Sequence, residues 1–318
     1  MNTIQGTYGV KPKFSPLIGT QQPSVIGGNE GVFEVLSSSS PSSSGLSKGD
    51  WVIPAKTGFG TWRTHAAAPL SSVIKINKEG LDIRQAGTAS VNPCSAYRML
   101  RDYASPTPLR EGDWFIQNGA NSGVGRAAIQ LGKLWGYNSI NVIRSRPTPE
   151  ETDSLRAELE SLGATHVITE EEFLSREFRD KLAHWTSGSG PSGLKLGLNC
   201  VGGKSAQAIA RSLGSGGTMV TYGGMSKQPV ILPTGLLIFK DIRFVGFWLS
   251  RWADSNTEAK SRTVNEILDL VREGKFKDTP VVDVPWSWDT EEKVLTEAVQ
   301  GTLEGFRAGK GVFVFGET

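Results

Sequence analysis

Residues 114–125 read Trp-Phe-Ile-Gln-Asn-Gly-Ala-Asn-Ser-Gly-Val-Gly, which predicts a buried strand, a glycine-rich turn and the start of a helix. The first N–H groups of a helix have no partner within it, and its dipole favours an anion there. Glycines let a pyrophosphate approach the backbone closely. The spacing departs from G-x-G-x-x-G, so an ordinary glycine-rich connection between strand and helix stays equally open at this point.

Apolar runs of strand length alternate with helix-length segments from this turn to about Phe244. The predicted strands include 140–143, 166–168, 196–201 and 218–222, and the predicted helices include 127–135 and 155–162. This alternation is typical of an α/β fold in which a doubly wound parallel sheet is covered by crossover helices. Two of the later strands end in Gly202-Gly203 and Gly223-Gly224, at the edge where such sheets bind ligands.

The flanking segments have a different pattern. Short apolar runs at 32–35 and 51–53 predict small β-strands, and the serine tract 37–44 predicts a surface loop. Helical spacing begins near Gln85 and continues through Leu100. Towards the C-terminus, the sequence predicts an amphipathic helix at 264–271 and a closing strand at 312–315.

Length and charge narrow the functional class. At 318 residues with 38% hydrophobic side chains, the chain is long enough for two domains. Its net charge of +2 gives no reason to expect nucleic acid or an anionic membrane as a partner. Because no run of about 18 apolar residues occurs, we expect no membrane-spanning helix. Neither a signal peptide nor a transit peptide is apparent after Met1. A small molecule is the expected partner.

Arg144-Ser145-Arg146 follows the strand after the glycine-rich turn. NAD-binding units carry an acidic residue in this region, which accepts a hydrogen bond from the ribose 2′-hydroxyl. Two guanidinium groups beside a hydroxyl suit the 2′-phosphate of NADPH instead. The alternative is a pair of solvated surface arginines. Their position after the glycine turn favours NADPH as the cofactor.

Metal-ligating residues are scarce. The chain has two cysteines, Cys94 and Cys200, and three histidines, His65, His166 and His184. None forms a set with the spacing of zinc ligands, so we expect no metal site. Two cysteines are also too few for a disulfide framework, which suits a reducing compartment. A hydride acceptor activated by hydrogen bonds is therefore favoured over one polarised by zinc.

Tyr8 lies in the segment Ile4-Gln5-Gly6-Thr7-Tyr8-Gly9, which predicts a loop. A phenol remains protonated at neutral pH and can donate a proton. The alternative for such a residue is an ordinary packing or surface role. Composition alone favours that alternative.

Several segments together resemble the mitochondrial trans-2-enoyl-thioester reductases, which are the enoyl-CoA and enoyl-acyl-carrier-protein reductases of the zinc-free medium-chain dehydrogenase/reductase superfamily. The resemblance covers nearly the whole chain. Where zinc-dependent relatives place a His-Glu pair after glycine, this sequence has Gly28-Asn29-Glu30. The segments that carry the resemblance are 4–9, 27–31, 49–54, 60–64, 91–93, 199–205 and 221–225.

The resemblance implies a Rossmann domain that binds NADPH and a GroES-like, β-rich catalytic domain. The expected bounds are 1–95 for the first part of the catalytic domain, 96–246 for the Rossmann domain and 247–318 for the segment that returns to the catalytic domain. Tyr8 matches the proton-donating tyrosine of the family. The positions that match its cofactor contacts are Asn92, Asn121, Ser122, Gly123, Val124, Arg144, Ser145, Arg146, Tyr222, Gly223, Gly224, Met225, Phe247, Trp248, Leu249 and Lys310.

The implied activity is reduction of the 2,3 double bond of trans-2-enoyl thioesters, carried by acyl carrier protein or CoA, in mitochondrial fatty acid synthesis. A location in the mitochondrial matrix and a homodimer paired through the cofactor-binding domains are also implied. One departure is that members of the family begin several dozen residues earlier. We therefore expect that the catalytic domain lacks its first strands, as in a shorter isoform or after a misplaced start codon.

Two other functions remain open from the sequence. An NADPH:quinone oxidoreductase would share the fold and the metal-free cofactor site but would not need Tyr8. A truncated, weakly active isoform would bind NADPH or a protein partner without efficient turnover. Cofactor binding without turnover would distinguish this last possibility from the two enzymes.

Overall fold

The computed structural model describes residues 4, 6, 8–12, 14–16, 21–39, 45–188, 193–304 and 309–316. The chain divides into two compact units. The first comprises Met1–Ser90, Ala253–Arg272 and Asp278–Thr318, and the second comprises Val91–Trp252 and Glu273–Lys277. These divisions lie a few residues from the expected bounds at 95 and 246, and Glu273–Lys277, which was expected in the C-terminal segment of the catalytic domain, belongs to the second unit. One reason is that Arg98 stacks over the Trp252 ring, 5.1 Å from its centroid, within the second unit.

A six-stranded parallel sheet forms the centre of the second unit. Its order is β6-β5-β4-β7-β8-β9, so the sheet is doubly wound and the α/β fold class is confirmed. The strand predictions from the apolar runs are confirmed, except that β7 ends at Asn199, two residues earlier than expected, and β8 ends at Thr221, one residue earlier. The strands are β4 (Trp114–Asn118), β5 (Asn138–Ile143), β6 (His166–Thr169), β7 (Leu194–Asn199), β8 (Thr218–Thr221) and β9 (Arg243–Gly246).

Helices cover both faces of this sheet, as crossover connections require. Several begin at side-chain caps that the sequence supplies. Thr148 and Glu151 form a reciprocal capping box at one helix, and Thr169 and Glu172 form another. The helices are α2 (Asn92–Asp102), α3 (Gly123–Leu134), α4 (Pro149–Ser161), α5 (Glu170–Leu174), α6 (Phe178–Trp185), α7 (Gly203–Ser212), α8 (Thr234–Lys240) and α9 (Leu249–Ser255), of which α9 crosses the unit boundary.

The core of the second unit consists of aliphatic side chains from the sheet and its helices. Ile116, Ile140, Ile209 and Leu213 are fully buried in one cluster, and burial of each such side chain stabilises the fold by about 1.5–3 kcal/mol. His166 is stacked between the rings of Trp114 and Trp185. Burial lowers the pKa of His166, so the neutral imidazole packs between these rings as a structural residue.

The first unit is built from small sheets. An antiparallel sheet has the order β1-β2-β3, and β10 and β11 form a parallel pair. The ammonium group of Lys260, a buried residue, donates hydrogen bonds to the carbonyls of Pro54 and Ala55 at the end of β2. The elements are β1 (Phe33–Glu34), β2 (Trp51–Pro54), β3 (Val73–Ile76), α1 (Ile83–Thr88), α10 (Thr257–Arg272), β10 (Val281–Trp286), α11 (Glu292–Glu304) and β11 (Lys310–Phe315).

The remaining predictions of local structure can be compared with these elements. The predicted helix 264–271 lies within α10, and the predicted strand 312–315 lies within β11. The helical signal from Gln85 to Leu100 resolves into α1 and α2, which are separated at residues 89–91. Residues 40–44 of the serine tract lie outside the described residues, so the predicted loop stays a prediction there. Among the described helices, none is both long and apolar enough to cross a membrane.

Candidate cofactor site

The doubly wound sheet changes direction between β4 and β7. β4 pairs in parallel with β5 on one side and with β7 on the other, and the next strands extend outward from these two. The loops that leave β4 and β7 therefore diverge to opposite faces of the sheet. Ligands of such folds bind in the crevice that this divergence opens at the carboxyl ends of the strands.

The glycine-rich turn between β4 and α3 leaves no room for side chains at three positions, Gly119, Gly123 and Gly125. A Cβ on Gly125 would lie 2.4 Å from the carbonyl oxygen of Ala120, and a Cβ on Gly123 would lie 2.4 Å from Nδ2 of Asn92. Ser122 caps α3 by accepting a hydrogen bond from the Gly125 amide at 3.1 Å. The N–H groups of the first helical turn cannot bond within the helix, so the turn presents backbone donors to an anion.

Two buried asparagines connect the ends of β4 and β7. Asn118 and Asn199 are 1% and 0% exposed, and Nδ2 of Asn118 donates to Oδ1 of Asn199 at 2.9 Å. Oδ1 of Asn118 accepts the amide of Cys200 at 2.8 Å, while its Nδ2 also contacts the Ser205 hydroxyl at 3.2 Å. Every polar atom of the Asn118 carboxamide thus has a buried partner, and the two turns are fixed relative to each other.

Oδ1 of Asn199 also shapes the turn that follows β7. It accepts the backbone amides of Val201 at 3.2 Å and Gly202 at 3.1 Å, which forms an Asx turn. This turn ends the strand and leads into Gly202, whose φ of 89° lies in the region that favours glycine. The strand predicted to reach Val201 ends at Asn199, because the Asn199 side chain, and not a neighbouring strand, accepts the backbone amides of Val201 and Gly202.

The turn after β8 is joined by hydrogen bonds to the turn after β7. The amide of Met225 donates to the Cys200 carbonyl at 2.8 Å, and the amide of Ser226 donates to the Val201 carbonyl at 2.9 Å. Gly223 passes so close to Cys200 that a Cβ there would lie 3.2 Å from its Cβ. The segment 222–225 is therefore held against the turn that Asn199 shapes.

The Tyr222 hydroxyl is buried beside the Cys200 thiol and the Ser122 side chain. It makes no hydrogen bond of ordinary geometry to any residue that the structure describes. Burial raises the pKa of Tyr222 well above its usual value and also raises the pKa of the Cys200 thiol. Both groups therefore stay protonated at neutral pH, and Tyr222 carries a donor that a ligand in this crevice could satisfy.

The loop after β5 carries the predicted phosphate-binding residues. Arg144 and Ser145 are exposed and Arg146 is half-buried, and the amide of Arg146 donates to the Thr152 hydroxyl at 2.8 Å. The Ser145 hydroxyl donates to Oε2 of Glu171 at 2.7 Å. This bond is the main reason that the pKa of Glu171 is lowered. The structure thus places a carboxylate among the three predicted residues.

The segment 247–249 follows β9 at the end of the sheet. Phe247 is buried, and its amide donates to the Thr221 carbonyl at 3.0 Å. Its ring packs edge-on against Tyr103, with 5.6 Å between the ring centroids. Trp248 and Leu249 are half-buried and begin the turn into α9. The second unit therefore contains all the predicted cofactor residues except Lys310.

The predicted residues Tyr8 and Lys310 belong to the first unit. Tyr8 is half-buried at a bend, while its neighbours Gln5 and Thr7 lie outside the described residues. The ammonium group of Lys310 forms an ion pair with the carboxylate of Glu30, which is 8% exposed. Glu30 belongs to the Gly28-Asn29-Glu30 segment, which stands where zinc-dependent relatives have a His-Glu pair. In this chain the carboxylate of Glu30 binds the Lys310 ammonium group.

The donor set fits a dinucleotide that carries a 2′-phosphate. The turn at 119–125 offers backbone amides with no side chain in the way, and two arginines follow the adjacent strand. Within the described ranges, no group of three or more His, Cys, Asp or Glu side chains could hold a metal ion. Sequence reasoning missed Asn118, Asn199, Ser205 and Glu171. The signal for the first two was an amide inside an otherwise apolar strand, since buried amides require partners.

Comparison with known proteins gives consistent matches. The family described as zinc-binding dehydrogenase matches residues 123–269. The chain is 52% identical over 281 residues to the mitochondrial enoyl-[acyl-carrier-protein] reductase of Yarrowia lipolytica, covering 88% of this chain and 70% of that protein.

Two solved structures have similar folds over almost the whole chain. The Etr1p complex with NADP and crotonyl-CoA has a TM-score of 0.89 and 44% identity, and the alignment covers 98% of this chain and 86% of that one. The Etr1p/Etr2p heterodimer of mitochondrial 2-enoyl thioester reductase from Candida tropicalis has a TM-score of 0.88 and 43% identity. That alignment covers 96% of this chain and 85% of the other.

Proposed function

The chain belongs to the mitochondrial enoyl-[acyl-carrier-protein] reductases, and we propose that it reduces the 2,3 double bond of trans-2-enoyl thioesters with NADPH. The observation that carries this proposal is the 52% identity to the Yarrowia lipolytica reductase over 88% of the chain. The Etr1p complex with NADP and crotonyl-CoA supports the cofactor and the substrate class. The protein functions in mitochondrial fatty acid synthesis, in agreement with the mitochondrial relatives.

Two sets of residues in the second unit hold the phosphates of the cofactor. Asn121, Gly123 and Val124 present backbone amides to the pyrophosphate at the start of α3, while Ser122 caps the helix with its side chain and donates its own amide to the Gly119 carbonyl. Arg144, Ser145 and Arg146 bind the 2′-phosphate through two guanidinium groups and a hydroxyl. The crowded contact between Gly123 and Asn92 supports a role for Asn92 in shaping the first of these sites.

The other cofactor residues hold the remainder of the dinucleotide. Residues 222–225 follow β8 and residues 247–249 follow β9, so both segments lie at the carboxyl edge of the sheet, which binds ligands in this fold. The buried hydroxyl of Tyr222 supports this assignment, because a bound ligand would satisfy it. Lys310 contributes an ammonium group, whose position Glu30 fixes.

Tyr8 is the proposed proton donor. When bound, NADPH supplies a hydride to the β-carbon of the conjugated thioester. The phenol of Tyr8 donates a hydrogen bond to the thioester oxygen as negative charge develops there, and it then supplies the proton that the α-carbon takes. A single hydroxyl therefore combines charge stabilisation with acid catalysis.

Acyl carrier protein is the proposed natural carrier of the thioester, with CoA thioesters as accepted substrates. The relative's name supports the first assignment and the crotonyl-CoA complex supports the second. The chain forms a dimer, in agreement with the Etr1p/Etr2p structure. Ile231, Ile238 and Phe239 are 64%, 66% and 83% exposed in the segment that leads into β9, the outermost strand of the second unit. Such an apolar patch at a sheet edge suits pairing with a second copy.

The test follows NADPH absorbance with trans-2-butenoyl-CoA and with the same acyl group on acyl carrier protein, for the chain and for Tyr8→Phe. We expect turnover that prefers NADPH to NADH. The substitution should lower kcat by about 10²–10⁴-fold, the range for loss of a general acid. Binding of NADPH, measured by fluorescence titration, should not change.

The two other functions give different outcomes in the same experiment. A quinone oxidoreductase would reduce 1,4-benzoquinone equally well with and without the Tyr8 hydroxyl. A binding protein would titrate with NADPH but would consume none with either thioester. A higher kcat/KM with CoA than with the carrier protein would overturn the assignment of the natural carrier only.

A further inference from the structure

The site that binds the 2′-phosphate contains a carboxylate, although anion sites usually exclude one. β5 and β6 are parallel neighbours, and the register pairs Ile143 with Thr169 at their ends. The segment after β5 therefore lies beside the first turn of α5. In that turn Glu171 accepts the hydrogen bond from the Ser145 hydroxyl at 2.7 Å.

The neighbouring acidic residues of this turn have other roles. Glu172 accepts the amide of Thr169 at 2.6 Å in the capping box and contacts Arg156 at 3.3 Å. Glu170 begins the helix and, like Glu171, lies where the helix dipole favours a negative charge. Stability of α5 therefore explains why acids occur here, but it does not explain the bond between Glu171 and Ser145.

A carboxylate that is hydrogen-bonded to Ser145 has opposite effects on the binding of NADPH and NADH. The phosphate of NADPH would need the Ser145 hydroxyl that Glu171 occupies, and the two anions repel each other. The ribose 2′-hydroxyl of NADH, by contrast, can donate a hydrogen bond to a carboxylate at this edge, as in NAD-binding units. The side chain of Glu171 is exposed, so it can turn towards solvent when a phosphate enters.

We propose that Glu171 is a specificity-determining residue that narrows the preference of this reductase for NADPH over NADH. Its carboxylate opposes the 2′-phosphate that Arg144 and Arg146 attract, and it accepts the 2′-hydroxyl when the phosphate is absent. The inference rests on the proposed function, because it refines the same cofactor site. The attraction of Arg144 and Arg146 for the 2′-phosphate and the repulsion from Glu171 together determine how strongly the site prefers NADPH.

The experiment measures dissociation constants of NADPH and NADH by calorimetry for the chain, Glu171→Gln and Glu170→Gln. Repulsion between unit charges about 4 Å apart in water corresponds to about a fivefold change in affinity. We expect Glu171→Gln to bind NADPH about fivefold more tightly and NADH more weakly. Glu170→Gln removes an equal charge from the same helical turn, and we expect it to change neither constant by more than about twofold.

Adenosine 2′,5′-bisphosphate carries the 2′-phosphate and adenosine 5′-monophosphate does not. Comparing their affinities isolates the contribution of that phosphate from the rest of the cofactor. Only the bisphosphate should bind Glu171→Gln more tightly. Equal tightening in Glu170→Gln, or unchanged NADPH affinity in Glu171→Gln, would overturn the inference and leave the proposed function intact. Failure of the unmodified chain to bind either cofactor would instead overturn both.

Discussion

At the ends of β4 and β7, polar side chains are buried and neutral, whereas at the ends of β5 and β6 they are charged and exposed. Asn118 and Asn199 are at most 1% exposed and bond to each other. Arg144, Ser145 and Glu171 instead face solvent on the same edge of the sheet. A network of buried amides fixes the backbone at the ends of β4 and β7, whereas we propose that exposed charges at the ends of β5 and β6 determine the cofactor affinity. Substitutions in the first half should therefore change stability, and those in the second should change cofactor selectivity.

The largest effect is expected for Asn118→Leu. This change leaves the buried amide of Cys200 without its partner and removes one of the three hydrogen bonds that Oδ1 of Asn199 accepts. Each loss of this kind costs about 1–3 kcal/mol, so the free energy of unfolding should fall by about 3 kcal/mol and NADPH affinity should also fall. Urea denaturation followed by fluorescence measures the first quantity.

Asn138→Leu is the matched control, because Asn138 starts β5 and its side chain bonds at an exposed position to the Gly112 carbonyl. Its free energy of unfolding should change by less than about 1 kcal/mol. Equal losses in the two variants would contradict the view that the buried network fixes this half of the edge.

An intermediate effect is expected for the double change Arg144→Ala and Arg146→Ala. Loss of hydrogen bonds to a charged phosphate costs about 1.5–3 kcal/mol, which is about tenfold or more in NADPH affinity. NADH affinity should stay within about twofold, and the free energy of unfolding should change by less than about 1 kcal/mol, because Arg144 is exposed and Arg146 is half-buried. Fluorescence titration at two salt concentrations should show that the salt dependence of NADPH binding weakens.

Arg262→Ala serves as the control for this pair, since the Arg262 side chain is 68% exposed and lies in the other unit. It should leave both affinities unchanged. An equal loss of NADH and NADPH affinity in the double variant would show that the two arginines do not recognise the 2′-phosphate.

The smallest effect is expected from removing one helix cap in each half of the sheet edge, the half at β4 and β7 and the half at β5 and β6. Ser122→Ala removes the cap of α3, and Thr169→Ala removes the capping box of α5. Each loss should lower the free energy of unfolding by about 1 kcal/mol, measured from thermal unfolding. Only Ser122→Ala should also weaken NADPH binding, because its helix starts at the turn that we propose binds the pyrophosphate. Weaker NADPH binding of similar size in both variants would remove the distinction between the halves.

The sequence predicted the sheet well because buried parallel strands are continuous apolar runs bounded by glycine. It predicted the end of β7 less well. Cys200 and Val201 continue the apolar run, yet the Asn199 side chain accepts the amides of Val201 and Gly202 in a turn. The pairing of Asn199 with Asn118 could not be predicted, since the two residues are 81 positions apart and only the folded sheet brings them together.

At the charged ends of β5 and β6, the sequence predicts individual residues but not the contacts between them. Arg144 and Arg146 could be predicted as phosphate ligands from their place after the second strand of the nucleotide-binding unit, and this assignment stays a prediction. Glu171 could not be predicted, because its relation to Ser145 depends on the register between β5 and β6. Local patterns thus identify which strand ends carry chemistry, but not which side chains meet across them.

Cys94 and Cys200 are the only two cysteines, both are thiols, and both lie in the second unit at 0% and 4% exposure. A thiolate reacts only when reagent can reach it, so alkylation of the native chain must wait for transient opening of that unit. The rate of Cys200 alkylation therefore measures how often the crevice opens transiently, and the measurement needs no label on the protein.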